Sequence, residues 1–352
     1  MKILVIGPSW VGDMMMSQSL YRTLKQAHPE AVIDVMAPAW CRPLLSRMPE
    51  VNQALAMPLG YGALALGERR RLGKALRASG YDRAYVLPNS FKSALVPFFA
   101  GIKRRIGWRG EMRYGVLNDV RVLDKAAFPL MVERYVALGY DQPAAAAAQL
   151  PQPLLWPQLR VNEDEKLMTA AQFALSADRP AIGFCPGAEF GPAKRWPHYH
   201  YAALAEQLIA EGYQVLLFGS AKDRETGEAI LQALPDTARA HCRNLAGETQ
   251  LEQAVILIAH CAAVISNDSG LMHIAAALNR PLVALYGPSS PDFTPPLSHQ
   301  ARIIRLITGY HKVRKGDAAE GYHQSLIDIQ PARVHQELNE LLHPVQESPC
   351  TF

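Results

Sequence analysis

The residues Asn267-Asp268-Ser269-Gly270 separate a short apolar run from a helical pattern and predict a tight turn between a strand and a helix. The backbone N–H groups of Ser269 and Gly270 would lie at the positive end of that helix, which attracts anions such as a diphosphate. Asp268 could cap the helix or accept hydrogen bonds from sugar hydroxyls, and His273 would lie one turn further along the same face. An ordinary capped helix with a buried histidine fits the same residues, so the turn by itself indicates only a candidate anion site.

A long loop punctuated by glycine and proline, residues 186–197, gives a second candidate anion site. Backbone N–H groups of Gly187 and Ala188, together with the ammonium group of Lys194, could hold a diphosphate. Lys194 could also offset the charge on a departing diphosphate. The alternative interpretation is an exposed loop that carries a surface lysine.

Asp13 is the candidate general base. It follows the first apolar run at a strand-to-helix junction, where a carboxylate could take a proton from an attacking hydroxyl. Its alternative role is that of a helix N-cap. Gly7 and Gly12 flank this loop, but the pattern is neither G-x-G-x-x-G nor Walker A, because Asp13-Met14 stands where Lys-Ser/Thr would be needed. The loop therefore argues against a dinucleotide cofactor and against P-loop phosphate transfer.

Two further turns carry weaker signals. Gly219 and Ser220 follow another apolar run, and Asp223 just beyond them could accept hydrogen bonds from a ribose. The backbone of residues 247–249, which precede a helical pattern, could frame the edge of a base. The sequence contains no D-x-D motif and its histidines have no metal-ligand spacing, so no metal site is expected.

These turns are embedded in an alternation of apolar strands and helical stretches, which predicts two doubly wound, Rossmann-like α/β domains with parallel sheets. The predicted strands are 2–7, 32–36, 54–57, 83–87, 181–185, 214–218, 263–266 and 282–286, with a weak one at 302–306. The predicted helices are 14–26, 40–47, 61–78, 163–173, 199–211, 224–234, 251–259, 271–277 and 331–342. Loops at the carboxyl ends of the strands are expected to line one cleft between the two facing domains.

The alanine- and proline-rich stretch 141–157 predicts the interdomain linker. We therefore predict a first domain over 1–155, a second over 156–330, and a closing helix and tail over 331–352. The chain of 352 residues exceeds the usual size of one core, and 49% hydrophobic with 19% charged residues is typical of a globular protein.

Charge is distributed unevenly along the chain. Residues 1–150 carry 20 Lys and Arg against 11 Asp and Glu, a net charge of +9, whereas 151–352 carry 16 against 21, a net charge of −5. The densest basic cluster, Lys103-Arg104-Arg105, follows the apolar residues 96–99 and would suit an anionic membrane or glycolipid surface. A solvated helix end or strand flank explains that cluster equally well. Nucleic acid fits less well, because a pI near 8.7 with an acidic second half is a weak footprint.

The five cysteines are odd in number, widely spaced and never in a C-x-x-C pair, which indicates a reducing compartment and no structural zinc. The first apolar run is too short for a signal peptide, and no segment approaches the roughly 20 apolar residues that span a bilayer. The expected location is therefore the cytoplasm.

Three motifs carry a family resemblance: Gly12-Asp13 after the first strand, Lys194-Arg195-Trp196-Pro197 in the middle, and Asp-Ser-Gly-Leu-Met-His at 268–273. Together they resemble the ADP-heptose heptosyltransferases of lipopolysaccharide core assembly, over essentially the whole chain. Segments 87–94, 106–108 and 321–326 look most like the heptosyltransferase II branch of that family.

The resemblance implies a GT-B architecture, with the acceptor on the N-terminal domain and ADP-L-glycero-D-manno-heptose on the C-terminal domain. It implies inversion at the anomeric carbon without a covalent sugar–enzyme intermediate, with Asp13 as the base and Lys194 as the cation beside the diphosphate. Further donor contacts are expected at Gly187, Ala188, Gly219, Ser220, Asp223, Thr249, Asp268, Ser269, Gly270 and His273, and acceptor contacts at Asn89, Ser90, Lys92, Lys103, Arg104 and Arg105. Gly187 and Ala188 stand where some relatives carry hydroxyl residues, so only backbone contacts are expected there.

The resemblance also implies the partners. The expected acceptor is an anionic lipopolysaccharide core, heptosyl-Kdo2-lipid A, met by a peripheral enzyme at the cytoplasmic face of the inner membrane. ADP-heptose is a substrate, and no cofactor, metal or nucleic acid is expected. The alternatives are a heptosyltransferase with another core acceptor, a sugar-nucleotide epimerase of the same fold, and a non-catalytic nucleotide- or glycolipid-binding protein. An NAD-dependent dehydrogenase is disfavoured, because the glycine fingerprint and its acidic partner are missing.

Overall fold

A computed structural model describes residues 1–60, 62–141, 150, 152–189, 191–309, 313, 316 and 318–344. The chain divides into two compact units, one of Met1–Arg160 with Asp292–Thr294 and one of Val161–Pro291 with Pro295–Phe352. The division falls at residues 160 and 161, where the sequence predicted 155 and 156. Parts of the predicted linker, 142–149 and 151, and of the predicted tail, 345–352, lie outside the described residues.

The first unit is built on a parallel sheet, with helices in most of the connections between successive strands. Its strands are β1 (Lys2–Ile6), β2 (Val32–Ala37), β3 (Val51–Ala56), β4 (Arg83–Val86), β5 (Arg104–Trp108) and β6 (Asp119–Arg121). Its helices are α1 (Val11–Ala27), α2 (Arg42–Leu45), α3 (Leu66–Leu76), α4 (Leu95–Phe99) and α5 (Met131–Ala137). The strands pair in the order β3-β2-β1-β4-β5-β6. The direction of winding reverses between β1 and β4, so the loops after these strands are neighbours at the carboxyl edge, where such sheets bind ligands.

The second unit repeats this plan. Its strands are β7 (Ala181–Cys185), β8 (Gln214–Leu217), β9 (Cys242–Asn244), β10 (Ala263–Asn267), β11 (Leu282–Tyr286) and β12 (Ala301–Arg305). Its helices are α6 (Glu163–Gln172), α7 (His198–Ala210), α8 (Arg224–Ala233), α9 (Asp236–Arg239), α10 (Leu251–His260), α11 (Gly270–Ala277), α12 (Gln324–Ile327) and α13 (Pro331–Leu342). The strand order is β12-β11-β10-β7-β8-β9, with all pairs parallel. The reversal here lies between β7 and β10, which places the two predicted anion-binding loops side by side.

The predicted fold class, two doubly wound parallel sheets, is confirmed. Residues of β7, β10 and β11 are buried throughout, as expected for strands covered on both faces. Within the part of the chain that the structure describes, no helix is long and apolar enough to cross a membrane.

Several elements differ from the prediction, and each difference has a local cause. Helix α1 begins at Val11 rather than Met14, because Trp10 is already extended (φ −109°, ψ 143°) and precedes the first turn. Strands β5, β6 and β9 were missed, because they are short and carry charged or polar residues. Three of these charged side chains are paired: Arg104 of β5 lies 2.8 Å and Arg121 of β6 3.0 Å from Asp119 of β6. Pairing between strands leaves no mark in the local sequence pattern.

Candidate donor site and candidate general base

The turn between β10 and α11 takes the predicted form, with a different role for its aspartate. Ser269, in extended conformation, is the residue before the helix, and its side chain makes no capping hydrogen bond. The predicted start at Leu271 is one residue late, because Gly270 already belongs to the helix. Asp268 accepts a hydrogen bond from Lys194 Nζ at 2.9 Å. The first N–H groups of α11 therefore lie beside an ion pair and are not capped by the Ser269 side chain.

The ion pair between Lys194 and Asp268 joins the two loops that the sequence singled out. Their side chains are 17% and 11% exposed, so solvent screens the pair only partly. Lys194 ends a short 3₁₀ turn, Pro192–Lys194, that follows β7. Because β7 and β10 are adjacent and parallel, this cation lies at the same sheet edge as the α11 N-terminus. The arrangement suits an anion held by both.

Asn267 fixes the loop that carries Lys194, and sequence reasoning missed it. This fully buried side chain accepts hydrogen bonds from Trp196 N at 3.0 Å and from the Tyr201 hydroxyl at 3.1 Å, and it donates to Pro186 O at 2.8 Å. Both ends of the loop are thus tied to β10. Trp196 is also buried and donates from Nε1 to Ile329 O at 2.8 Å. The sequence signal that could have identified Asn267 is that it is a polar residue at the end of an apolar strand.

Asp223 contacts residues of both the loop after β7 and the loop after β8. Its Oδ2 accepts from the Ser220 N–H at 2.9 Å and from the Ser220 hydroxyl at 2.8 Å, and Arg195 Nη2 lies 3.7 Å from Oδ1. A Cβ added at Gly187 would lie 2.5 Å from the carboxyl carbon of Asp223, and a Cβ added at Gly219 would lie 2.7 Å from the Cβ of Asp223. Glycine at both positions allows this close approach. Arg195, which sequence reasoning gave no separate role, is a second cation beside this carboxylate.

The remaining predicted donor residues lie at the same sheet edge of the second unit. Ala188 is buried directly after Gly187, and Thr249 is half-buried before α10. The loop of Thr249 contacts that of Gly219 through the Gly247 N–H, which donates to Gly219 O at 3.1 Å. The structure thus brings the predicted donor residues together along the carboxyl edge of β8, β7 and β10.

His273 is buried within α11, behind the turn. Burial lowers the pKa of its imidazole to about 4, although the nearby Asp268 carboxylate acts in the opposite direction. The ring is therefore neutral at pH 7. This environment fits the alternative interpretation of a buried histidine as well as a role behind the donor turn.

This environment predicts a pH-dependent stability. Because the folded-state pKa lies below the ordinary value of 6.5, the unfolded chain binds the proton more readily. The stability that neutral His273 contributes is present above about pH 6.5 and is lost as the pH falls toward about 4. We expect His273→Gln to remove up to about 3 kcal/mol of the pH dependence of the unfolding free energy, measured in urea at pH 7 and 4.5. His28→Gln, at an exposed position, is the control, and equal pH dependence in wild type and His273→Gln contradicts the prediction.

Asp13 is the third residue of α1 in the first unit. The alternative of an N-cap is wrong, because Trp10 precedes the helix. The half-buried Asp13 carboxylate accepts a hydrogen bond at Oδ1 from the Tyr135 hydroxyl, at 3.0 Å. Burial raises the pKa of Asp13, and the hydrogen bond from Tyr135 partly offsets that rise. A carboxylate with a raised pKa is a better proton acceptor.

The predicted acceptor residues fall into two groups that the structure keeps apart. Asn89, Ser90 and Lys92 follow β4, at the carboxyl edge beside the loop that leads to Asp13. Residues 103–105 lie at the start of β5, which is the opposite edge of the same parallel sheet.

The basic cluster itself is largely engaged within the protein. Arg104 pairs with Asp119 and Asp141. Arg105 donates to Val116 O at 2.7 Å and lies over the ring of Phe98. Lys103 is the exposed member. The strand-flank interpretation therefore accounts for both arginines.

Comparison with known proteins identifies the family of the chain. Residues 69–323 match glycosyltransferase family 9 (heptosyltransferase). The chain is 79% identical to lipopolysaccharide heptosyltransferase 2 of Escherichia coli K12, covering 97% of this chain and 99% of that protein. It is 62% identical to lipooligosaccharide heptosyltransferase 2 of Haemophilus influenzae, with the same coverage. The crystal structure of E. coli ADP-heptose lps heptosyltransferase II superposes with a TM-score of 0.90, at 73% identity over 97% of this chain and 98% of that one.

The chain belongs to glycosyltransferase family 9. It is a heptosyltransferase with the GT-B fold, as the sequence motifs predicted, and the epimerase alternative is not favoured. Among the residues that the structure describes in this heptosyltransferase, no group of three or more His, Cys, Asp or Glu side chains could hold a metal ion.

Proposed function

We propose that this heptosyltransferase moves heptose from ADP-L-glycero-D-manno-heptose to the first heptose of the lipopolysaccharide inner core. The observation that carries the proposal is the 79% identity, over nearly the whole chain, to a lipopolysaccharide heptosyltransferase 2. A heptosyltransferase with another core acceptor is the second candidate, but two relatives that are 79% and 77% identical to this chain are both named lipopolysaccharide heptosyltransferase 2.

In the donor half of the reaction, the diphosphate of ADP-heptose binds at the uncapped N-terminus of α11 and beside Lys194. The N–H groups of Ser269 and Gly270, with those of Gly187 and Ala188, supply hydrogen bonds. The loops of Asp223 and Thr249, at the far side of the same edge, hold the ribose and adenine. Asp268 already accepts a hydrogen bond from Lys194. When the diphosphate binds, the Lys194 ammonium group would therefore interact with two anions, the Asp268 carboxylate and the diphosphate.

In the acceptor half, a hydroxyl of the first core heptose attacks C1 of the donor. The bond from C1 to the β-phosphate oxygen breaks, and Asp13 takes the proton from the attacking hydroxyl. ADP leaves with the bonding electrons toward Lys194 and the turn at 268–270. One displacement of this kind inverts the anomeric centre.

The reaction is tested by mass spectrometry of purified core acceptors after incubation with ADP-heptose. An acceptor that carries one heptose should gain the mass of one heptose residue, and an acceptor with none should remain unchanged. Transfer only to the acceptor without heptose would contradict the proposed subtype, and isomerised donor without transfer would favour the epimerase.

We further propose that the enzyme works as a peripheral protein on the anionic cytoplasmic face of the inner membrane. Supporting this, Met112 and Tyr114 are 83% and 62% exposed on the loop after β5. Between them, buried Arg113 donates to Pro88 O at 2.6 Å and so ties this loop to the loop after β4. Exposed apolar side chains on a tethered loop, in a unit with an excess of basic residues, suit insertion between anionic headgroups.

The membrane proposal predicts that Met112→Ser/Tyr114→Ser weakens binding to phosphatidylglycerol vesicles by roughly 10-fold or more, because less apolar area is buried. The measurement is co-sedimentation, with phosphatidylcholine vesicles for comparison. Leu167→Ser/Met168→Ser is the matched control, since these residues of α6 are 64% and 73% exposed. Equal losses in both double variants would count against this loop as the docking surface.

A further inference from the structure

Tyr135 has no role in the sequence argument, yet it is the hydrogen-bond donor to Asp13. It lies on α5, which packs along α1, and its side chain is 4% exposed. Its hydroxyl donates to Asp13 Oδ1 at 3.0 Å, across 122 residues of sequence. A buried phenol requires a hydrogen-bond acceptor, and here the acceptor is the Asp13 carboxylate.

We propose that Tyr135 is a positioning residue that holds the Asp13 carboxylate, with Oδ1 occupied and Oδ2 presented to the acceptor hydroxyl. The inference rests on the proposed role of Asp13 as the base. Tyr135 itself gives up no proton in the reaction. It selects the orientation of the carboxylate and leaves one oxygen to take the proton.

Other helices of this protein show what an acidic residue at this position otherwise does. In α5, Glu133 at the third position bonds back to the Leu130 N–H at 2.8 Å. In α6, Glu165 at the same position bonds to the Asn162 N–H at 3.0 Å. The pair in α6 is a full capping box, because the Asn162 side chain also accepts from the Glu165 N–H, whereas the Leu130 side chain of α5 has no acceptor. In both helices the carboxylate satisfies an N–H group at the helix N-terminus. Asp13 occupies the matching position of α1 but gives Oδ1 to Tyr135.

The electrostatics agree with this geometry. Burial raises the pKa of Asp13, and the hydrogen bond from Tyr135 lowers it. Burial also raises the pKa of Tyr135 well above its ordinary value, so this hydroxyl remains a donor throughout an activity assay. The neighbouring titratable group on α1 is Tyr21, whose hydroxyl bonds to Ser17 Oγ at 2.8 Å.

The charged groups of α5 are directed away from Asp13. Glu133 caps its own helix, and Arg134 Nε donates to Phe128 O at 2.9 Å. Tyr135 is therefore the side chain of α5 that forms a hydrogen bond with Asp13.

The test is the pH dependence of kcat for Tyr135→Phe. Loss of one hydrogen bond to a charged group should move the acidic limb of the profile to higher pH by about one unit. The plateau of kcat should fall roughly tenfold because the carboxylate is less well oriented, and the KM for ADP-heptose should stay unchanged. Tyr81→Phe is the matched control, because the buried Tyr81 hydroxyl donates to Asp34 Oδ2 at 2.7 Å in the same unit. This control should lower the unfolding midpoint and leave the acidic limb in place.

A second substitution guards against misfolding of Tyr135→Phe. Difluorotyrosine at position 135 keeps the hydroxyl but makes it a stronger donor, so the acidic limb should move to lower pH. Shifts of the acidic limb in opposite directions in these two variants support the inference that Tyr135 positions Asp13 through the hydrogen bond. A profile that is identical to wild type in both variants overturns the inference. An acidic limb that persists in Asp13→Asn would instead contradict the proposed role of Asp13.

Discussion

Asp13→Asn should lower kcat by roughly 10² to 10⁴-fold, the usual contribution of a general base. Asparagine keeps the size of the side chain, and its amide oxygen can still accept from Tyr135, so packing between α1 and α5 is retained. The amide cannot take a proton from the attacking hydroxyl. The measurements are steady-state kinetics with a heptosyl acceptor and calorimetric titration with ADP, whose affinity should not change.

The matched control for Asp13→Asn is Asp34→Asn. Asp34 is also a buried carboxylate of the first unit, and it accepts from a tyrosine hydroxyl and from Asn52 Nδ2 at 2.8 Å. Its loss should reduce the unfolding midpoint while kcat stays within a few-fold of wild type. Turnover of Asp13→Asn close to wild type would end the assignment of Asp13 as the base.

Lys194→Ala should lower kcat by roughly 10² to 10³-fold, because the leaving diphosphate loses a preorganised cation. The affinity for ADP should fall by about tenfold or more for the same reason. The substitution also leaves the Asp268 carboxylate without the ammonium group that lies 2.9 Å away. An unpaired negative charge beside the α11 N-terminus would then repel the diphosphate, which adds to both effects.

Lys222→Ala is the control for this substitution. Lys222 belongs to the same unit and pairs with Glu189 at 3.1 Å, but its side chain is 78% exposed, so its removal should change neither constant. Calorimetry with ADP and steady-state kinetics report the two effects separately. A donor titration of Lys194→Ala that matches wild type would exclude Lys194 from the diphosphate site.

Most of the candidate donor site follows from local patterns in the sequence. The apolar runs that form β7 and β11 and the periodicity of α13 match the structure residue for residue. Small residues and glycines directly after β7, β8 and β10 identify loops at one sheet edge, because parallel strands place their carboxyl ends together. The donor residues could therefore be assigned to one edge before the strand order was known.

The side chains that hold the site could not be found in this way. Asn267, Arg113 and Tyr135 act through partners far along the chain, and each is an ordinary residue among its neighbours in sequence. The basic cluster at 103–105 was singled out because its charges are adjacent. Its paired carboxylates, Asp119 and Asp141, come from later segments.

The sequence by itself determined the α/β alternation, the two parallel sheets, the positions of the candidate anion-binding turns and the family. These properties depend on residues within a few positions of one another, where periodicity and turn chemistry act. Only the tertiary structure decided that Lys194 pairs with Asp268 and that the Tyr135 hydroxyl donates a hydrogen bond to Asp13. It also decided that residues 103–105 lie at the opposite sheet edge from Asn89. Those outcomes depend on strand order and on the packing of α5 against α1, which bring together side chains that are 74 and 122 residues apart.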